Sequence, residues 1–120
     1  MTYAVLEGVA FGFKDCLEAL RQSGTVVERA LVTGGGARSR AFVSLIAAIL
    51  GIPLQMPRRG EYGAALGAAR LGRMAATGET PACVCTPPVT DTVEPDRRLA
   101  PRASERYARY RALYPALKET

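Results

Sequence analysis

Three consecutive glycines break this chain directly after an apolar run: Leu31-Val32-Thr33-Gly34-Gly35-Gly36-Ala37-Arg38-Ser39. The apolar segment reads as a strand. The small polar residue and the apolar-periodic run that follow read as a helix start. Strand, glycine turn and helix in that order bring main-chain N–H groups to the surface with no Cβ in front of them. Such a bend suits a phosphate or a nucleoside. A tight turn that binds nothing is the other reading of the same residues.

The flanking patterns are those of an α/β domain. Residues 3–23 read as a helix, because Leu6, Ala10, Phe13, Leu17 and Leu20 recur every three or four positions. Val5, Val9 and Cys16 widen the stripe, and a face this wide is expected to lie on a sheet, with Gly24 as the stop signal. Residues 28–33 read as a strand with little alternation, as in a parallel strand covered on both faces. Ser39 caps a second helix over 39–50, with Phe42, Leu45, Ile46 and Ile49 inward and Gly51 at its end. A second short strand follows over 52–56, with Pro53 near its start, where the missing N–H is tolerated. Strand, helix and strand in this order imply parallel pairing.

Arg58-Arg59-Gly60 reads as a loop whose cations reach either a phosphate or, as the preferred reading, solvent alone. Residues 61–76 form a third helix, rich in alanine and glycine. Gly67 and Gly72 each cost about 1 kcal/mol relative to alanine inside a helix, so close approach of another backbone or a ligand is expected there. Residues 77–101 carry Pro81, Pro87, Pro88, Pro95 and Pro101 and read as an extended strap over the domain surface. Residues 103–118 read as the last helix.

Composition narrows the partners. With 48% hydrophobic residues, the 120-residue chain can build a core as one small domain. No stretch approaches the roughly 20 apolar residues needed to span a bilayer, and no signal sequence opens the chain. A cytoplasmic location without membrane contact is therefore expected. Cys16, Cys83 and Cys85 are odd in number, Cys83-Val84-Cys85 lacks the usual two-residue spacer, and there is no histidine. The thiols read as reduced and structural, with no metal site. The net charge of +5 concentrates in the last quarter, where Arg97, Arg98, Arg102, Arg106, Arg109 and Arg111 surround Tyr107, Tyr110 and Tyr114. Such a mixture could bind single-stranded nucleic acid by charge and stacking. The tyrosines and Leu117 instead share one helical face, so a docked helix with a solvated basic side is the preferred reading, without a nucleic-acid partner.

Several chemistries fail on the residues themselves. The P-loop needs a lysine after its glycines, and Ala37-Arg38-Ser39 stand there. The dinucleotide fingerprint needs a third glycine where Ser39 lies, and no suitably placed acid follows. A nucleophile triad lacks its histidine. Asp15, Glu18, Glu28 and Glu61 are too scattered for a carboxylate pair, so no catalytic residue is nominated.

Three blocks carry a resemblance. Leu6-Glu7-Gly8-Val9-Ala10-Phe11, then Gly34 to Ser39, then Glu61-Tyr62-Gly63-Ala64-Ala65-Leu66-Gly67-Ala68-Ala69 resemble successive segments of the FGGY carbohydrate kinase family, in order and spacing. The tail Tyr110-Arg111-Ala112-Leu113-Tyr114-Pro115-Ala116-Leu117-Lys118 is similar to that of its D-xylulose-phosphorylating branch. The resemblance implies an α/β fold: part of an actin-like ATPase, ribonuclease H-like domain, with helices packed on a small parallel sheet. It implies ATP and Mg²⁺ as cofactors and D-xylulose as the sugar, with glycerol, ribulose or gluconate as alternatives. It assigns Gly34, Gly35, Gly36 and Ala37 to the nucleotide's α-phosphate and ribose, and Ser39 and Arg40 to the neighbourhood of the adenine. Some relatives carry asparagine near Arg40, where an arginine would stack on the base instead. The small-residue helix is expected beside the glycine turn. The sugar site and the aspartate base belong to a first domain with no counterpart here. The chain, 1–120, is thus expected to be a C-terminal fragment of the second domain, inactive alone and prone to self-association through an uncovered edge. A non-catalytic interaction module using the arginine–tyrosine helix is the reading from a different class.

Overall fold

The computed structural model describes residues 2–81 and 87–118, with Glu61 described by its backbone only. Cys83 and Cys85, read above as structural thiols, lie outside the described residues, whereas Cys16 is a free, exposed thiol. In chain order the elements are α1 (Thr2–Gln22), β1 (Ala30–Leu31), α2 (Arg40–Leu50), β2 (Leu54–Pro57), α3 (Gly63–Thr77), β3 (Val89–Val93) and α4 (Ala100–Lys118). Short 3₁₀ turns precede α2, α3 and α4 at Gly35–Arg38, Gly60–Tyr62 and Arg97–Leu99.

β2 is the middle strand. It pairs parallel with β1, Ala30 opposite Leu54, and antiparallel with β3, Leu54 opposite Val93. The parallel pair needs a crossover, and α2 supplies it. The core sits between α1, α2 and the sheet: Ala10, Phe11 and Leu17 of α1 meet Val43, Ile46, Ala47 and Ile49 of α2, with Leu54 and Val93 beneath. Ser39 caps α2 as expected, its Oγ accepting from the Phe42 N–H at 3.3 Å. Gly51 ends the helix in the left-handed region, at φ 70°.

α4 is held on α1 by charge and by rings. Glu7, buried on α1, pairs with Arg106 at 2.7 Å. The Tyr107 hydroxyl donates to the Asp15 carboxylate at 2.5 Å. The Phe11 ring lies 5.6 Å from Tyr107 and 5.4 Å from Tyr110. A buried carboxylate left without its guanidinium would be strongly destabilising, so the Glu7–Arg106 pair sets how α4 sits on α1.

Four expectations change. First, α1 docks mainly on helices α2 and α4, not on a sheet. The buried stripe is rotated accordingly: Phe11 and Glu7 are inside, and Val5, Val9, Phe13 and Leu20 are exposed. Second, β1 is two residues long, since only Ala30 and Val32 donate to the partner strand, to the carbonyls of Pro53 and Gln55. Third, the expected strap contains β3, which makes the sheet mixed; Val-Thr-Asp-Thr-Val alternates weakly, and the surrounding prolines hide the strand from a sequence reading. Fourth, only half of the expected α4 face is docked. Tyr107 and Tyr110 pack on the core, while Tyr114 and Leu117 are exposed at an open cleft beside Glu18, Ala19 and Gln22 of α1.

Candidate functional site

The triple glycine leaves β1 as a sharp bend. Gly34 takes φ 93°, a backbone conformation that residues with a Cβ rarely adopt. Its N–H donates to the Gly60 carbonyl at 2.9 Å, which ties the bend to the loop leaving β2. Gly35 to Arg38 then wind one 3₁₀ turn, with the Ala37 N–H donating to Gly34 and the Ser39 N–H to Gly36, each at 3.1 Å. Among the described residues, the N–H groups of Gly35 and Gly36 have no acceptor. A Cβ at Gly34 or Gly35 would meet nothing within 4 Å, so the Cβ side of these two residues is open. At Gly36 the Phe42 ring lies 3.5 Å from that position and closes one side. Two free amides at a bend leading into α2 add to the positive end of the helix dipole, and the arrangement can hold an anion.

Gly34, Gly35, Gly36, Ala37 and Ser39 therefore share one bend, as the sequence reading placed them. Their contributions differ. The Ala37 side chain is buried and its N–H is engaged within the turn. The Ser39 hydroxyl is engaged in capping α2. Arg40 is turned toward β3, where its guanidinium pairs with Asp91. That guanidinium holds the Asp91 carboxyl below its ordinary range.

Two clefts flank the bend. One of about 260 Å³ lies at the carboxyl ends of the strands, lined by Val32, Ala37, Arg38, Met56, Pro57 and Gly60. The other, about 490 Å³, is an apolar trough between α1 and β1, with no charged residue in its lining and with Phe13, Leu20, Leu31 and Phe42 among its walls. Sequence reasoning missed Gly60, Arg38 and Asp91. Gly60 and Asp91 reach the site through pairing with distant strands and carry no local signal; Arg38 stood inside the motif and was passed over for its neighbours.

The small-residue helix approaches the bend at one point only. A Cβ on Gly63 would lie 2.9 Å from the Thr33 Cβ, so glycine is required where α3 begins. Gly67 and Gly72 have nothing within 4 Å, contrary to expectation, and no described residue of α3 is buried.

Comparison with known proteins agrees with this arrangement. Residues 1–76 match the C-terminal domain of the FGGY family of carbohydrate kinases. The chain is 34% identical over 116 residues to the xylulose kinase of Escherichia coli (strain K12), covering 95% of this chain and 24% of that protein. It is 40% identical over 77 residues to the glycerol kinase of Myxococcus xanthus (strain DK1622), covering 63% of this chain and 15% of that protein. The crystal structure of a xyloylose kinase from Brucella ovis superimposes with a TM-score of 0.83 at 49% identity, over 98% of this chain and 25% of that one. The chain thus spans about a quarter or less of the length of these relatives. The glycine bend, the crossover helix α2 and the Gly63 contact all fall inside the matched residues, within the fold of the sugar kinases (actin-like ATPases): the chain belongs to the FGGY family of carbohydrate kinases.

Proposed function

We propose that the chain is the nucleotide-binding part of a kinase that transfers the ATP γ-phosphoryl group to D-xylulose, giving D-xylulose 5-phosphate. The observation that carries this is the pair of free amides at Gly35 and Gly36 at the start of α2, with open space around Gly35 and the Phe42 ring closing one side at Gly36. Their N–H groups hold a phosphate oxygen, and the main chain of Gly34 and Ala37 shapes the bend against the ribose. Ser39 keeps the helix start in place, and Arg40, anchored by Asp91, offers a flat cation to the base. The small 260 Å³ cleft beside Arg38 gives a wall for part of such a ligand.

Phosphoryl transfer rests on positioning and charge stabilisation. Mg²⁺ would neutralise charge on the phosphates, and we assign its entry to the triphosphate, whose oxygens are its usual ligands. The base that takes the sugar proton is assigned to a partner domain, so the 120-residue chain is inactive alone. A cytoplasmic location goes with this reading, since ATP is the required co-substrate. D-xylulose is favoured because the similarity to a xylulose kinase extends over 95% of the chain. The glycerol kinase similarity supports a second reading, another polyol as acceptor. Docking of Tyr107 and Tyr110 on Phe11 occupies two of the three rings that an interaction module would present.

Titration of the ¹⁵N-labelled chain with a nonhydrolysable ATP analogue tests the assignment. The Gly35 and Gly36 amides are expected to shift, and shifts confined to α4 or to the apolar trough would refute it. Phosphorylation of D-xylulose by the isolated chain would contradict the inactivity.

Self-association belongs to the same reading. Beyond β1 the sheet has no further strand among the described residues, and the uncharged trough adjoins that open edge. Two copies meeting edge to edge would bury both.

A further inference from the structure

The loop leaving β2 turns on Arg59, which takes φ 57° and ψ 36°. Among the described residues it is the only non-glycine residue with positive φ. Glycine or asparagine fills such a position more readily. The Arg59 side chain makes no capping hydrogen bond to the 3₁₀ turn that follows, so the turn gains nothing from a guanidinium at this place. Residues held in such conformations cluster at ligand sites.

Arg58 precedes it, and the Arg58 N–H donates to the Pro88 carbonyl at 2.9 Å, fixing the loop against the approach to β3. Arg58, Arg59 and Arg70 line an open basin of about 650 Å³, walled by Tyr62, Leu66 and the Pro87-Pro88 pair. Each of the seven ion pairs among the described residues uses a different arginine, and neither Arg58 nor Arg59 is among them. The basin lies at the carboxyl end of β2, on the edge of the sheet that carries the glycine bend, to which the Gly34–Gly60 hydrogen bond joins it. Open α/β sheets take their ligands outside the carboxyl ends of the parallel strands.

We propose that Arg58 and Arg59 form an anion site for the phosphoryl group of a small phosphate ester. The planar, weakly hydrated guanidinium matches phosphate oxygens two at a time. The site stands apart from the nucleotide reading. The same phosphoryl group could belong to a nucleotide resting on the bend or to a sugar phosphate, and the experiment separates the two.

The labelled chain is titrated at fixed ionic strength with pyrophosphate, then with ADP and with D-xylulose 5-phosphate. Pyrophosphate is expected to move the amides of Arg58 to Tyr62. Arg58→Ala and Arg59→Ala are each expected to weaken it about tenfold, and Arg97→Ala, at an exposed arginine outside the basin, to leave it unchanged. Arg59→Gly removes the guanidinium and relieves the backbone, so it is expected to weaken binding while raising the melting temperature, which separates the site from a folding defect. ADP competing with pyrophosphate identifies a nucleotide as the source, and competition by D-xylulose 5-phosphate alone identifies the sugar ester. The nucleotide reading is read from the Gly35 and Gly36 amides and this site from those of Arg58 to Tyr62, so failure of the one is distinguishable from failure of the other. No binding of pyrophosphate, or unchanged affinity in the Arg58→Ala/Arg59→Ala double variant, overturns it.

Discussion

Tyr107 sits where α4 meets α1, its hydroxyl on Asp15 and the Lys14 ammonium 4.9 Å from the ring centre. Burial, with the Asp15 carboxylate beside it, pushes the phenol up to about 12. The unfolded chain releases this proton near pH 10, its ordinary value, while the folded chain still holds it. The stabilisation is therefore complete below about pH 10 and lost as pH rises toward 12. Urea midpoints measured on either side of that window should fall for the native chain and fall less for Tyr107→Phe; equal falls would place Tyr107 outside the alkaline transition. At Gly34 the question is backbone rather than charge. A side chain at φ 93° is strained whatever the space, so Gly34→Ala should lower stability by about 1–3 kcal/mol and weaken the ATP analogue. Unchanged stability would mean that the bend relaxes.

α3 shows how an element can be recognised while its packing is misread. Alanine and glycine content announces a helix meant for close approach, yet the approach is made by one residue, at the helix start. Gly63→Ala should destabilise the chain, because the new methyl meets Thr33 at 2.9 Å. Gly67→Ala and Gly72→Ala should each stabilise it by about 0.5–1 kcal/mol, since neither position touches anything and alanine restricts the unfolded chain. Chemical denaturation of the three variants decides the order. A loss at Gly67 would show that α3 is covered in solution. α1 teaches the same lesson: the 3.6-residue period identified the helix, but its apolar residues spread too far round the cylinder to say which side faces inward. α2 and α4 chose Phe11 and left Phe13 outside.

The molecule as a whole is open. Its radius of gyration is 17.1 Å, where about 13–14 Å is usual for a compact domain of this length. α3 stands away from the core, and β1 leaves one side of the sheet unpaired among the described residues. Sedimentation velocity over a concentration series should show a dimer growing with concentration, and Leu31→Arg, which puts a charge on the exposed edge, should abolish it. A strict monomer at high concentration would count against edge pairing. No helix among the described residues is long and apolar enough to cross a membrane, so the apolar trough is not part of a helical span.

Short-range features were readable before any coordinates. The helix periods, the Ser39 cap, the Gly51 stop and the glycine bend each depend on residues within a few positions of one another, where sterics and hydrogen-bond reach are set by the chain itself. The three blocks that resemble the FGGY kinases are likewise local runs. Contacts across the fold were not readable. The Gly60 carbonyl that anchors Gly34, the Asp91 carboxylate that turns Arg40 aside, and β3 inside a proline-rich stretch all come from strand pairing between distant segments. The tertiary structure decided the state of the bend at Gly34, whose N–H is taken by the distant Gly60 carbonyl, whereas the Ala37 and Ser39 amides are engaged within the turn itself.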